Sequence, residues 1–292
     1  QVLIKDNGTG ITENEFLERL INIGTSKKTF GKDAGFRGIG RLAGIAYCDR
    51  LIFKSKYQGE IIECTLELNC RELRHEMSPD KNNSGELQTV LSSHFDLKFT
   101  EGKKDDHYFQ IIMEGITKGG AKFLDKEAVN DYLSMVAPVE YDTQKFHEAP
   151  LITQYARKAI IPIPTVKILL QTIDTEDQVL KPYKNTYRSS KLKEPAKIDK
   201  IQFLPEDPKD AKGFFMWYGL NSNSGVIMDN ASGIRIRKDN IAIGDDSNTR
   251  DLFIDGNSSS GRFTNWAIGE IIIYDGSLIP NARRDGFEDT EP

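Results

Sequence analysis

The feature that most constrains this chain is a strand broken by an aspartate–glycine bend. Val2 to Lys5 is a short apolar run stopped by Asp6-Asn7-Gly8-Thr9-Gly10. Such a run, bounded by Asp, Asn and Gly, reads as a β-strand entering a tight turn. Thr12 follows with Glu15 three residues on, the pair that forms a capping box at a helix start. Phe16, Leu17, Leu20 and Ile21 then fall on one helical face and are read as core. Because Gln1 already lies in a strand rather than before one, we expect further sequence upstream of it.

Residues 24–40 are rich in Gly, Ser, Thr and Lys and lack a period. They read as a long loop, and long loops in compact domains usually serve function. Leu42 to Tyr47 predicts a short helix, and Leu51 to Lys56 and Glu60 to Leu68 predict consecutive strands. Residues 71–106 carry no clear pattern. Phe109, Ile111 and Met113 alternate within a strand from His107 to Ile116. Asp125 is a good cap for a helix carrying Ala128, Val129, Tyr132, Leu133 and Val136, which Pro138 ends. This order implies an α+β layer, one sheet with helices on one side.

Pro150, Pro162 and Pro164 mark a change of character, so we expect a boundary near residue 148 and domains 1–148 and 149–292. The second half predicts strands at Val166–Thr172, Lys200–Leu204, Gly213–Leu220, Ile234–Arg237, Asn240–Ile243 and Trp266–Tyr274. Trp217 and Trp266 are expected in core, and the basic stretch 184–198 as a solvated loop. A chain of 292 residues suits two domains of roughly 100–200 residues each.

Composition narrows the function classes. With 38% hydrophobic and 28% charged residues, two cores are feasible and global disorder is excluded. A net charge of −5 argues against a nucleic-acid coat, leaving room only for local basic patches. No run approaches the ~18 apolar residues of a membrane span, so no membrane partner is expected. Cys48, Cys64 and Cys70 form no Cys-x-x-Cys pair. That excludes a multi-cysteine zinc site, speaks against a disulfide framework and points to a cytoplasmic location. His75, His94, His107 and His147 lack zinc-ligand spacing, and no metal site is read among the residues present.

Chemistry concentrates at three places. An Asp at a strand end, here Asp6, can accept a hydrogen bond from an exocyclic amine, and Gly8 and Gly10 let backbone approach a flat ring. Gly35-Phe36-Arg37-Gly38-Ile39-Gly40 precedes a helix-like run, where glycine N–H groups and the helix start favour phosphate. A dinucleotide-binding reading of that loop needs a strand directly before it and a βαβ frame after it. Neither is present in the pattern, and that reading is set aside. Between the two lies Ile23-Gly24-Thr25-Ser26-Lys27-Lys28, whose hydroxyls and lysines suit a lid over phosphates.

In this order and spacing the three elements resemble the second and third ATP-binding motifs of the GHKL superfamily: gyrase, heat-shock chaperones of the ninety-kilodalton class, histidine kinases and mismatch-repair ATPases. Thr25-Ser26-Lys27 with Gly35-Phe36-Arg37-Gly38 looks most like the mismatch-repair branch, and Ile23-Gly24-Thr25 is similar to the start of the chaperone lid. Near the C-terminus, Asn281-Ala282-Arg283-Arg284-Asp285 follows a strand, as an Asn-x-x-Arg-Glu loop does in the chaperones' middle domain. A guanidinium suits phosphate because it is always charged and bonds bidentately.

The resemblance implies a two-layer α/β sandwich of the GHKL type, incomplete at its N-terminus, followed by an α+β transducer domain. It implies that Asp6 bonds the adenine amine and that Gly8 and Gly10 shape the adenine pocket. Thr25, Ser26 and Lys27 would sit in the lid, while Gly35, Gly38 and Gly40 line the triphosphate with Arg37 nearby. Arg284 would reach the ATP γ-phosphate as the catalytic arginine, with Arg283 as the alternative. The family's first motif carries a Glu that activates water and an Asn that holds Mg²⁺; its counterpart is expected upstream of Gln1. Where the family opens its next strand with Gly-Thr, this chain reads His107-Tyr108-Phe109. The expected function is an ATP-binding and hydrolysing clamp of the chaperone kind, homodimeric, acting on a client protein. The alternatives are a DNA-associated ATPase of the mismatch-repair kind and a non-catalytic nucleotide-binding module.

Overall fold

A computed structural model describes residues 1–21, 40–78, 90, 93–191, 193–223, 225–244 and 266–274. The fold is α+β, in two compact units, Gln1–Asp125 and Lys126–Pro292.

The first unit runs β1 (Val2–Asp6), α1 (Glu13–Ile21), a 3-10 segment Gly40–Ala46, β2 (Cys48–Lys56), β3 (Ile62–Asn69), α2 (Cys70–Glu76), β4 (Phe95–Glu101), β5 (Tyr108–Ile116) and a second 3-10 segment Lys118–Leu124. Its five strands form one sheet in the order β1-β5-β2-β3-β4, every pair antiparallel. Opposed residues in such a sheet point to the same side, so the register sorts side chains into two faces. Met113, Leu51 and Leu68 lie in line on the inner face, as do Ile111, Phe53 and Leu66. This face packs with Phe16 and Leu20 of α1 and Leu73 of α2 into one core. The outer face carries a charged grid: Arg50 pairs with Glu67 and Glu114, and Lys54 with Glu63. Helices on one side only is the arrangement the sequence predicts, and the alternation of β2 and β5 produces it.

The second unit runs α3 (Lys126–Val136), α4 (Ala149–Lys158), a hairpin of β6 (Leu169–Gln171) and β7 (Glu176–Gln178), then β8 (Thr186–Tyr187), β9 (Ala196–Leu204), β10 (Phe214–Asn221), β11 (Gly233–Lys238), β12 (Ile241–Ala242) and β13 (Ala267–Ile273). Six strands form a sheet in the order β12-β11-β13-β10-β9-β8, with β11 and β13 parallel. Ile152, Tyr155 and Ala156 of α4 pack with Phe215, Trp217, Ile268 and Ile272 of that sheet.

The compact units meet at Asp125–Lys126, and beyond it Leu133 of α3 and Ala137 pack with Val139, Val179 and Ile168. Several sequence expectations differ from the observed elements. Helix α4 is absent from the sequence reading; Pro150, taken as a sign of linker, sits in its first turn, where its missing N–H costs nothing. The expected strand Val166–Thr172 shrinks to β6. Trp266, expected in core, is exposed, whereas Trp217 is fully buried. The stretch 184–198 is partly ordered into β8 and the start of β9, with Lys184 paired to Asp229.

Candidate functional site

The aspartate–glycine bend stands at the open edge of the first sheet. Among the described residues β1 pairs only with β5, and the register sets Asp6 opposite Phe109, Phe109 opposite Ser55, and Ser55 opposite Cys64. One row of inner-face side chains therefore begins with a carboxylate at the edge strand and runs into buried core. Ile4 lies beside Asp6 on the same face and is 55% exposed. Among the described residues, the core cluster that buries Phe53 and Leu66 does not include Ile4. An exposed apolar strip ending in a carboxylate is the result.

Asp6 is held in a fixed pose. Its Oδ1 accepts the Gly8 N–H at 2.8 Å, closing an Asx turn. Its Oδ2 accepts no hydrogen bond from any described residue. One oxygen shapes the loop, and the other is without a donor among the described residues.

The rest of the loop is tied to β2. The Ile11 N–H donates to Ser55 Oγ at 2.7 Å, and the Gln58 N–H donates to the Thr9 carbonyl at 2.9 Å. The Ser55 side chain is fully buried, so its hydroxyl serves this loop rather than solvent. Gly10 adopts φ +75°, and a Cβ there would stand 2.2 Å from the Lys56 carbonyl oxygen. Gly10 is thus demanded by backbone packed on backbone, a different physical reason from the ring contact expected of it. His107 closes the loop from the other side, its Nδ1 lying 2.9 Å from the Gly8 carbonyl.

Neighbouring groups are quiet chemically. Burial pushes the Cys64 thiol up to about 11 and Cys70 up to about 12, and burial also raises Cys48; all three cysteines are free. Thiols so raised are protonated and poor nucleophiles at neutral pH. Burial and a hydrogen bond to Glu63 also raise the Tyr108 hydroxyl. Among the described residues no group of three His, Cys, Asp or Glu could hold a metal.

Of the residues singled out in the sequence, Asp6, Gly8 and Gly10 come together in this loop. Gly40 begins the 3-10 segment Gly40–Ala46. Thr25, Ser26, Lys27, Gly35, Arg37, Gly38 and Arg284 lie outside the described residues. Sequence reasoning missed Ser55 and the His107 bond. Ser55 had a visible signal, a small hydroxyl residue at an inward position of an alternating strand.

A second polar cluster lies within the second unit. Glu270, on β13 at the sheet centre, has no exposure and neither has the Arg237 side chain beside it. Its carboxylate accepts from Lys181 Nζ at 2.8 and 3.0 Å, Tyr183 Oη at 3.2 Å and Trp217 Nε1 at 3.3 Å. Arg237 Nε and Tyr141 Oη donate as well. Burial pushes the Glu270 carboxyl up, but Arg237 and then Lys181 outweigh it and hold it below the usual carboxylate range. Burial drives the Lys181 ammonium down. Every acceptor position on Glu270 is occupied, so this cluster organises the core and offers nothing to a ligand.

Comparison with known proteins now bears on the open edge. Residues 1–107 match the histidine kinase-, DNA gyrase B-, and HSP90-like ATPase family. The match supports the GHKL superfamily for this part of the chain, and it spans Asp6, Gly8, Gly10, Ser55 and His107. No curated protein matches the chain. Among solved structures the chain is similar to the ATPase region of Saccharomyces cerevisiae topoisomerase II, at 11% identity and a TM-score of 0.39. That alignment covers 94% of this chain and 64% of the topoisomerase chain. Among the described residues no helix is long and apolar enough to cross a membrane.

Proposed function

We propose that the Asp6 edge of the first unit binds the adenine of ATP, and that the intact protein is an ATP-hydrolysing clamp. The observation that carries this reading is the Asp6 carboxylate, with one oxygen committed to Gly8 and the other without a donor among the described residues, beside the exposed Ile4. A flat ring with an exocyclic amine fits that combination: Ile4 and Phe109 offer apolar surface, and Asp6 Oδ2 accepts the amine. The family match over residues 1–107 supports ATP as the ligand.

In this proposal Thr25, Ser26, Lys27, Gly35, Arg37, Gly38 and Gly40 surround the triphosphate, and Arg284 meets the γ-phosphate. ATP with Mg²⁺ supplies a phosphoanhydride whose cleavage removes the anion that Arg284 holds. The two domains, 1–148 and 149–292 as read from the sequence, are fixed while that contact lasts and released when it is lost. An arginine arriving from a second domain also offsets transition-state charge. A chaperone-like homodimer in the cytoplasm, acting on a client protein, is the form we propose for the whole.

The test is nucleotide choice by the full-length protein. Inosine triphosphate differs from ATP where the amine is replaced by oxygen, which would face the Asp6 carboxylate as a second acceptor. We expect at least about tenfold weaker binding, the scale of a lost charge-assisted hydrogen bond. Equal affinity for both nucleotides would overturn the assignment of Asp6. For Arg284→Ala we expect turnover to fall more than ATP affinity, and equal loss of both would overturn its role.

A further inference from the structure

The bond between His107 and Gly8 joins residues 99 positions apart, and the register explains why they meet. β1 and β5 pair Asp6 with Phe109. Continuing that antiparallel ladder by two residues sets Gly8 opposite His107. The backbone cannot continue the ladder there, because Gly8 has turned to give its N–H to Asp6 Oδ1. Its carbonyl would be left at the end of the sheet, and the His107 ring takes it at 2.9 Å. A carbonyl oxygen only accepts, so Nδ1 is the donor and carries the proton. Both polar backbone groups of Gly8 are therefore held by side chains, one from the end of β1 and one from the residue that precedes β5, and the plane of the Asp6–Gly8 turn is fixed between them.

This geometry has a consequence for Asp6. The far end of the loop is held through Thr9 and Ile11, but Gly8 itself is held only by the Asx turn on its own strand and by His107, the residue that precedes β5, and the second of these limits how the turn can tilt. The direction of Asp6 Oδ2 then depends on His107. We propose that His107 is a positioning residue for the Asp6 carboxylate, acting through the Gly8 carbonyl to aim Oδ2 at the ligand's amine. The inference rests on the adenine reading of this edge and adds a specificity determinant to it.

The test uses the full-length protein and three substitutions. Asn at 107 keeps an N–H donor where Nδ1 stands; Gln carries its donor one bond too far, and Ala has none. We expect His107→Asn to bind ATP within about twofold of the wild type, and His107→Ala and His107→Gln to bind about five- to tenfold more weakly, the worth of one hydrogen bond. The Ala and Gln variants should also lose preference for ATP over inosine triphosphate, a readout that loss of folding would not produce. Thermal midpoints read alongside identify any variant that fails to fold. Folded Ala and Gln variants with wild-type affinity and preference would overturn the role of His107 while leaving the adenine site intact. A wild-type protein that binds neither nucleotide would overturn both.

Discussion

Each unit carries one carboxylate in a row of otherwise buried or half-buried inner-face side chains, and the two rows differ in how that carboxylate is satisfied. In the first, Asp6, Phe109, Ser55 and Cys64 run inward from an edge strand, and the carboxylate at the end keeps one oxygen without a donor among the described residues. In the second, Phe203, Trp217, Glu270 and Arg235 cross the sheet centre, and the carboxylate accepts from five side chains with no exposure. In our proposal the same functional group serves a ligand in one place, and in the other it is a keystone of the core. Position in the sheet decides which: an edge strand leaves a carboxylate half-solvated and cheap to keep partly unsatisfied, whereas a central strand demands that every lone pair be met.

The largest expected effect breaks the sealed row. Glu270→Ala leaves Lys181 and Arg237 buried without their anion, and removing one partner of a buried pair costs about 3–5 kcal/mol. Urea unfolding followed through Trp217 fluorescence should show it. Asp6→Ala, at the exposed row, should cost no more than about 1 kcal/mol. Comparable losses at the two sites would erase the contrast.

Acid should act on the same side of the comparison. The Glu270 carboxyl is held at about 2 in the folded chain, against an ordinary value of 4.5. Between those values the unfolded chain binds the proton and the folded one does not, so stability from this group is full above about 4.5 and is lost as pH falls toward 2. The urea midpoint of the wild type should drop across that window, and that of Glu270→Gln should drop less.

A smaller effect sharpens the open row. Gly10→Ala places a methyl against the Lys56 carbonyl and a side chain at φ +75°, a strain of roughly 1–3 kcal/mol. Differential scanning calorimetry should show a lowered midpoint, and because the loop must shift, ATP affinity should fall with it. An unchanged midpoint would mean that the loop is not packed on β2 as described.

Legibility in the sequence followed locality. β1, its bend and α1 were readable because each is written in contiguous residues: an apolar run, an Asp-Asn-Gly turn, a capping box and a helical period. The inner-face alternation of β5 was readable for the same reason. Helix α4 was hidden because Pro150 reads as a breaker until its place in the first turn is known. The Glu270 cluster was hidden because Tyr141, Lys181, Trp217, Arg237 and Glu270 are scattered across the second half. The nearest local signal is a lone Glu inside Ala-Ile-Gly-Glu-Ile-Ile-Ile, with Arg-Ile-Arg in the strand that pairs with it. That Asp6, Gly8 and Gly10 share one loop is legible in their contiguous motif, but the packing of Gly10 is not, since the carbonyl it admits comes from Lys56. Ser55 and His107 were missed as parts of the loop because only the strand register brings them to it.

Hydrogen exchange of the full-length protein with and without ATP sets the two rows against each other in a single experiment. Amides of residues 2–11 should become markedly slower to exchange when ATP is added, by more than any change in residues 267–273, which should already be protected without it. Unchanged exchange at residues 2–11 under saturating ATP would contradict the claim that the open carboxylate row is the nucleotide site.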